Sequence, residues 1–282
     1  MTVLLKQKGE NNMALVTINF ESKYIGFNHE VSIILPNKPW EMTPKTFYEN
    51  GKKYKVLWLL HGMFGDHSDW VRKSNIEVYA AEKDLIVVMP SGFNAGYGVW
   101  PDYANGLNME DYLTEELMPM IHNWFPASDK PEDNFIAGLS MGGAGTLRYL
   151  LWNPDKFAAG CCMSAPPRDY RNVKTIEDLN KIFPMGAERT KKRVEMAGGL
   201  EAYLDGKNNL HKRILEMHEA GTLPKLMITC GQLDSGYEAY VAFRDLCKAK
   251  KIPIKFSDLP DLAHEWRYWD LAVQEALEFF EL

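Results

Sequence analysis

Residues 134–151, NFIAGLSMGGAGTLRYLL, constrain this chain more than any other stretch. A short apolar run, Phe135, Ile136 and Ala137, leads into Gly138-Leu139-Ser140-Met141-Gly142. A helix-forming run with Leu147, Leu150 and Leu151 on one face follows. The pattern is strand, sharp turn, helix. So tight a turn strains the serine backbone, and its near neighbours must be small for strand and helix to approach; here both are glycine. Ser140 is thereby lifted above the end of the sheet. The next amide, that of Met141, opens the helix, where a free N–H and the helix dipole favour an anionic oxygen. A bare G-x-S-x-G can be a glycine-rich loop with an incidental serine. Between this strand and this helix it reads as the turn that carries a nucleophile.

The rest of the chain supplies the sheet that such a turn needs. Residues 14–21 (ALVTINFE) alternate as a half-buried strand, and 30–35 (EVSIIL) read as its antiparallel partner. The nearly continuous apolar runs at 54–60, 85–89 and 157–164 read as strands covered on both faces. Residues 223–230 and 252–256 add two more. Helical patterns at 69–83, 109–125, 237–250 and 265–280 alternate with them, and Pro119 is expected to kink the second. Strands alternating with helices define an α/β fold, a mostly parallel sheet with helices on both faces.

Two stretches depart from that rhythm. Residues 91–108 form a long loop rich in glycine and aromatics, and loops of that length usually line a site. Residues 168–222 are charged, lack a strand-like run and hold several short helical patterns. They read as a cap inserted into the domain, because alone they bury too little apolar surface to fold. Residues 1–12 read as a polar tail ahead of the α/β domain spanning 13–282.

A length of 282 residues suits one large α/β domain. The net charge of -6 and the lack of a basic block argue against nucleic acid or an anionic membrane as partner, and give no support to acidic substrates. No run reaches membrane-spanning length and no cleavable signal is visible, so a cytoplasmic location is expected. The four cysteines, Cys161, Cys162, Cys230 and Cys247, lack metal-type spacing and read as buried thiols. Edge strands leave a homo-oligomer open.

A serine hydroxyl is a weak nucleophile until a histidine takes its proton and a carboxylate fixes that histidine's tautomer. In α/β-hydrolases the order is Ser, then Asp or Glu, then His, each on a loop at the carboxyl end of a strand. Asp234, after the strand at 223–230, and His264, between the last strand and the last helix, meet that order. Asp258 and Asp261 compete but lie too near His264 to come from a separate strand end. His29, His67, His122, His211 and His218 fall in poorer places. The second oxyanion donor is expected from the amide of Met63, in the loop His61-Gly62-Met63-Phe64-Gly65, with His61 fastening that loop. Phe64, Tyr97, Trp100 and Tyr103 are candidate walls of a substrate pocket, or simply the packing of a long loop.

Taken together, His61-Gly62 with Trp70, Gly138-Leu139-Ser140-Met141-Gly142-Gly143, Cys230-Gly231 with Asp234, and His264-Glu265-Trp266 resemble the esterase-D-like α/β-hydrolases, bacterial tributyrin esterases in particular. The resemblance runs from about residue 13 to the end. It implies an eight-stranded hydrolase core, a triad of Ser140, Asp234 and His264, hydrolysis of short-chain acyl esters, and no metal or cofactor. Relatives include S-formylglutathione hydrolases, feruloyl and acetylxylan esterases, and mycolyl transferases. The loop after His61-Gly62 lacks the Leu-Thr-Cys usual in S-formylglutathione hydrolases, and Ala263 stands where many tributyrin-type relatives carry glycine.

Overall fold

The computed structural model describes residues 12–102, 106–182 and 186–282. Eight strands form the main sheet: β1 Met13–Glu21, β2 Asn28–Pro36, β3 Val56–Leu60, β4 Ile86–Pro90, β5 Asn134–Leu139, β6 Ala159–Met163, β7 Lys225–Gly231 and β8 Ile254–Leu259. Their spatial order is β1-β2-β4-β3-β5-β6-β7-β8. The pairs β1/β2 and β2/β4 are antiparallel, and every later pair is parallel. This is the α/β-hydrolase fold, with β5 and its serine turn near the middle of the sheet.

The apolar runs are buried on both sides because successive side chains point to opposite faces. In β3, Val56, Trp58 and Leu60 enter one core while Leu57 and Leu59 enter the other. In β4, Ile86 and Val88 are parted from Val87 and Met89 in the same way. On the first face lie the helix Met141–Trp152, through Leu147, Leu150 and Leu151, and the helix Tyr237–Lys250, through Tyr240, Phe243 and Cys247. On the second lies the last helix, Trp266–Phe279, through Tyr268, Trp269, Ala272, Val273 and Ala276. Each fully buried aliphatic side chain is worth about 1.5–3 kcal/mol, so the two layers hold the strand ends rigidly. All four cysteines are free and buried.

Three local features differ from the expected pattern. The helix expected over 69–83 is two, Asp69–Lys73 and Ile76–Lys83. Ser74 donates its hydroxyl to the Trp70 carbonyl (2.6 Å), and Asp270 takes the Asn75 amide (2.8 Å), so side chains replace the helical bonds there. The stretch expected to kink at Pro119 is instead α-helix Met109–Asp111, a π-helical turn Tyr112–Leu117, and α-helix Met118–Trp124. Pro119 then lies in the first turn of the last piece, where its missing N–H leaves no gap. The loop 91–108 contains a small ribbon in which Val99–Trp100 pairs with Leu107–Asn108.

Between β6 and β7 the described residues hold four helices, Ile176–Ile182, Ala187–Met196, Leu200–Asp205 and Leu210–Glu219. Val173, Leu179, Val194 and Tyr203 make a small core of their own, while Ile214 and Met217 of the last of these helices join the main core. Among the described residues no helix is long and apolar enough to cross a membrane.

Candidate active site

Ser140 stands at the turn between β5 and the helix Met141–Trp152 with φ 52° and ψ −116°, a strained conformation for a residue with a side chain. Its surroundings hold it there. Its amide donates to the Met163 carbonyl on β6 (2.8 Å). A Cβ at Gly138 would lie 2.5 Å from the Gly142 carbonyl oxygen, and one at Gly142 would lie 2.5 Å from that of Leu60. Only glycine lets strand, helix and neighbouring strand approach this closely.

Two further strand ends converge on the serine. His264 Nε2 lies 2.9 Å from Ser140 Oγ, and His264 Nδ1 lies 2.7 Å from Asp234 Oδ2. An ionised carboxylate only accepts, so Nδ1 carries the proton and Nε2 is free to accept from the serine hydroxyl. The loops bearing Asp234 and His264 are joined to each other: the amides of Gln232 and Leu233 donate to the carbonyls of Leu259 (3.0 Å) and Leu262 (2.9 Å). Asp258 and Asp261 take no part; Asp258 accepts from Tyr237 Oη (2.6 Å), and Asp261 sits in a turn at φ 59°. Ala263 is not among the residues of positive φ, so its methyl group brings no left-handed strain to this loop.

Asp234 is sealed beneath the histidine, its side chain 2% exposed against 40% for His264. Burial works to raise its pKa, but hydrogen bonds from His264, the Gly236 amide (2.8 Å) and Ser164, with the charge of the imidazole, outweigh burial and hold the carboxyl below its ordinary value. Ser164 also accepts from Trp269 Nε1 (3.1 Å), and the Trp269 ring stands edge-on to His264, 5.0 Å between centroids. Sequence reasoning missed Ser164 and Trp269. The available signal was the position of Ser164 just past the end of β6, the strand beside the serine turn.

The loop after β3 passes directly over the serine, since a Cβ at Gly62 would lie 3.5 Å from Ser140 Cβ. Within that loop the Phe64 amide donates to Asn94 Oδ1 (2.8 Å) and the Gly65 amide to the Gly62 carbonyl (3.3 Å). The amide of Met63 has no such partner among the described residues, and that of Met141 is the first of its helix. His61 fastens the loop as expected. Its Nε2 accepts from the Gly92 amide (2.7 Å), which leaves Nδ1 to donate to the Gly62 carbonyl (2.6 Å). Burial lowers its pKa and keeps the ring neutral.

The four aromatic candidates part company. Phe64 projects from the loop beside the serine, 80% exposed. Trp100 is half-buried, its Nε1 donating to the Ala95 carbonyl (2.6 Å). Tyr97 is 0% exposed and is no pocket wall: it packs under Gly92 and Gly145 and donates its hydroxyl to the His61 carbonyl (3.1 Å). A polar tip that needs a partner and a large apolar ring made it more useful inside the loop than facing solvent. Tyr103 lies outside the described residues.

Such a fold with such a site defines a serine hydrolase of the α/β-hydrolase class. Residues 22–280 match the Esterase family, and the chain belongs to that family as a carboxylesterase. It is 26% identical over 279 residues to an acetyl esterase of Caldicellulosiruptor saccharolyticus, covering 95% of this chain and 98% of that one. It is similar to the fluorophosphonate-binding serine hydrolase F of Staphylococcus aureus, with a TM-score of 0.77 and 29% identity over 95% of this chain and 98% of that one. An S-formylglutathione hydrolase of Staphylococcus aureus gives a TM-score of 0.75 and 30% identity over 95% and 99% of the two chains.

Proposed function

We propose that the protein hydrolyses esters of short acyl chains in two steps through an acyl-enzyme on Ser140. The observation that carries this reading is the single imidazole of His264 between Ser140 Oγ (2.9 Å) and Asp234 Oδ2 (2.7 Å). As the serine oxygen attacks the ester carbonyl, its proton passes to His264 Nε2, and Asp234 steadies the imidazolium that forms. The amides of Met63 and Met141 donate to the tetrahedral oxyanion. His264 returns the proton to the leaving alkoxide, which departs as alcohol. Water then enters past the partly exposed imidazole, gives a proton to Nε2, attacks the acyl carbonyl, and the acid leaves as Ser140 takes the proton back.

The preference for short chains is supported by the helical segment 168–222, read as a cap. Arg189 from that segment donates to Met63 Sδ (3.0 Å), which brings the segment against the loop that passes over Ser140. Acetyl esterase activity in a full-length relative agrees with it. A second reading, thioester hydrolysis, draws on the similarity to an S-formylglutathione hydrolase. Both readings are tested by initial rates on p-nitrophenyl esters from acetate to dodecanoate, with methyl ferulate and a simple thioacetate beside them. Acetate to butyrate should be fastest, and Ser140→Ala should lose turnover by at least about 10⁴-fold while staying folded. Preference for dodecanoate would overturn the chain-length reading, and turnover kept in Ser140→Ala would overturn the serine's role.

A further inference from the structure

The overall acidity of the chain gives no support to anionic substrates, yet the ground beside the serine is locally basic. Arg189 and Arg193 lie one turn apart on the helix Ala187–Met196 and so share a face. Arg189 is exposed, and its Nη1 donates toward Met63 Sδ (3.0 Å), on the residue next to Gly62. Arg193 is half-buried and extends along the loop 91–108; a Cβ at Gly96 would lie 3.1 Å from its Nη2. Arg148, from the helix behind the serine, abuts the same loop at Gly98, 3.9 Å from a Cβ there to its Cζ.

Charge around this group is unbalanced. Glu110 takes both Arg148 (2.8 Å) and Lys207 (2.6 Å), and is thereby already shared by two cations. Among the described residues no carboxylate forms an ion pair with Arg189 or Arg193. The groups that act on Arg193 are the phenols of Tyr203 and Tyr170 and the guanidinium ions of Arg148 and Arg189. Burial, with the two neighbouring cations, lowers its pKa. A cation withdrawn from water and faced by two others is costly where nothing offsets it. A planar guanidinium pair suits the two oxygens of a carboxylate or phosphate, which would offset that cost.

We infer that Arg193 and Arg189 form an anion-recognition subsite, so that the ester cleaved at Ser140 carries a carboxylate or phosphate remote from the scissile carbonyl. The inference rests on Ser140 being the nucleophile and names the substrate class for that reaction. The opposing possibility is that Arg193 merely braces the helical segment against the loop at Gly96, in which case its loss would slow all esters alike.

The test compares kcat/KM for matched pairs. Monomethyl glutarate against methyl pentanoate places the charge on the acyl side. For the alcohol side, 4-acetoxybenzoate is set against neutral 4-acetoxybenzamide, with 4-acetoxyphenyl phosphate separating phosphate from carboxylate. In the wild type the anionic member of one pair should be favoured by about 10- to 100-fold, as a charge-assisted pair of hydrogen bonds would give. In Arg193→Met the ratio should fall toward one, in Arg189→Met part of the way, and in Arg193→Lys it should be partly kept. Flat ratios in the wild type while p-nitrophenyl acetate is hydrolysed would overturn the subsite and leave the esterase reading standing. An equal loss for both members in Arg193→Met would overturn it in favour of a brace. Calorimetry with glutarate and with inorganic phosphate on Ser140→Ala reads the subsite without the chemistry. Binding abolished by adding Arg193→Met supports it, and no binding of either anion overturns it.

Discussion

The strand ends that bear Ser140, Asp234 and His264 and the helical segment 168–222 both border the loop after β3, and they are built on opposite principles. At the strand ends each polar side chain is held by more than one partner: His264 between Ser140 and Asp234, and Asp234 by His264, Ser164 and the Gly236 amide. Behind them stand the two cores of the sheet. In the helical segment the private core is, among the described residues, four buried side chains, and Arg189 and Arg193 of one helix reach the loops after β3 and β4. On the reading proposed above, chemistry that needs fixed atoms would rest on the first region and choice of substrate on the second. A site tuned for one transition state benefits from rigidity, whereas a recognition surface can vary without disturbing the proton path.

Asp234→Asn keeps the shape but allows the wrong His264 tautomer, so kcat for p-nitrophenyl acetate should fall about 10⁴-fold. Thermal unfolding should change little beside that. A loss below about 10-fold would mean that the strand ends are not the seat of the chemistry.

Acid sensitivity separates the regions next. His29, on β2, is packed against Tyr112, Phe20 and Phe93, and burial lowers its pKa from 6.5 to about 4. Above pH 6.5 the ring is neutral folded and unfolded, and it has no effect on stability. Between 6.5 and about 4 only the unfolded chain takes the proton, so stability falls with pH, by up to about 3 kcal/mol, and then levels off. His29→Gln should flatten that part of a plot of unfolding free energy against pH. An unchanged slope would place the acid sensitivity elsewhere.

Glycines differ between the regions in the same sense. Gly142→Ala would drive a methyl group into the Leu60 and His61 carbonyls at 2.5 and 2.6 Å, which backbone cannot yield cheaply. A loss of about 1–3 kcal/mol in denaturant unfolding is expected, with activity reduced because those carbonyls close β3 and open the loop proposed to hold the oxyanion. At Gly221, which ends the helix Leu210–Glu219 with φ 69°, an added methyl group meets nothing within 4 Å. Gly221→Ala should cost only the left-handed strain, about 1 kcal/mol. Equal costs at the two positions would show that space, as opposed to backbone conformation, is not what glycine supplies beside the serine.

The same division governs what the amino-acid sequence reveals. The serine turn, the buried strands and the order Ser140, Asp234, His264 are legible because each leaves a local mark: a glycine pair, an apolar run, a residue just past a strand. Ser164, Trp269 and Tyr97 are not, because their roles depend on partners 70, 105 and 36 positions away, Asp234, Ser164 and His61, brought close only by the fold. The π-helical turn before Pro119 was hidden for a different reason, since a proline announces a break in the hydrogen-bond ladder but not how the preceding turn absorbs it. Arg189 and Arg193 looked like part of a solvated charged stretch, and net charge pointed away from anions. A bulk charge says little about the potential at one cleft.

The smallest expected effect sharpens the comparison most, because it concerns where unfolding begins. Val194 is 2% exposed and belongs to the four-residue core of the helical segment. Val87 is fully buried in the sheet. Val194→Ala should cost about 1 kcal/mol, and because that core is separate from the two cores of the sheet, the cost should fall on local opening rather than on the global transition. Limited proteolysis should then cut within 168–222 about fivefold faster, with the denaturant midpoint nearly unmoved. Val87→Ala removes the same two methyl groups from a strand that every layer touches, so its cost should appear in the midpoint and leave cleavage of the segment unchanged. If Val194→Ala shifts the midpoint as far as Val87→Ala does, the segment unfolds together with the sheet, and the division between a rigid reacting region and a separable recognising one fails.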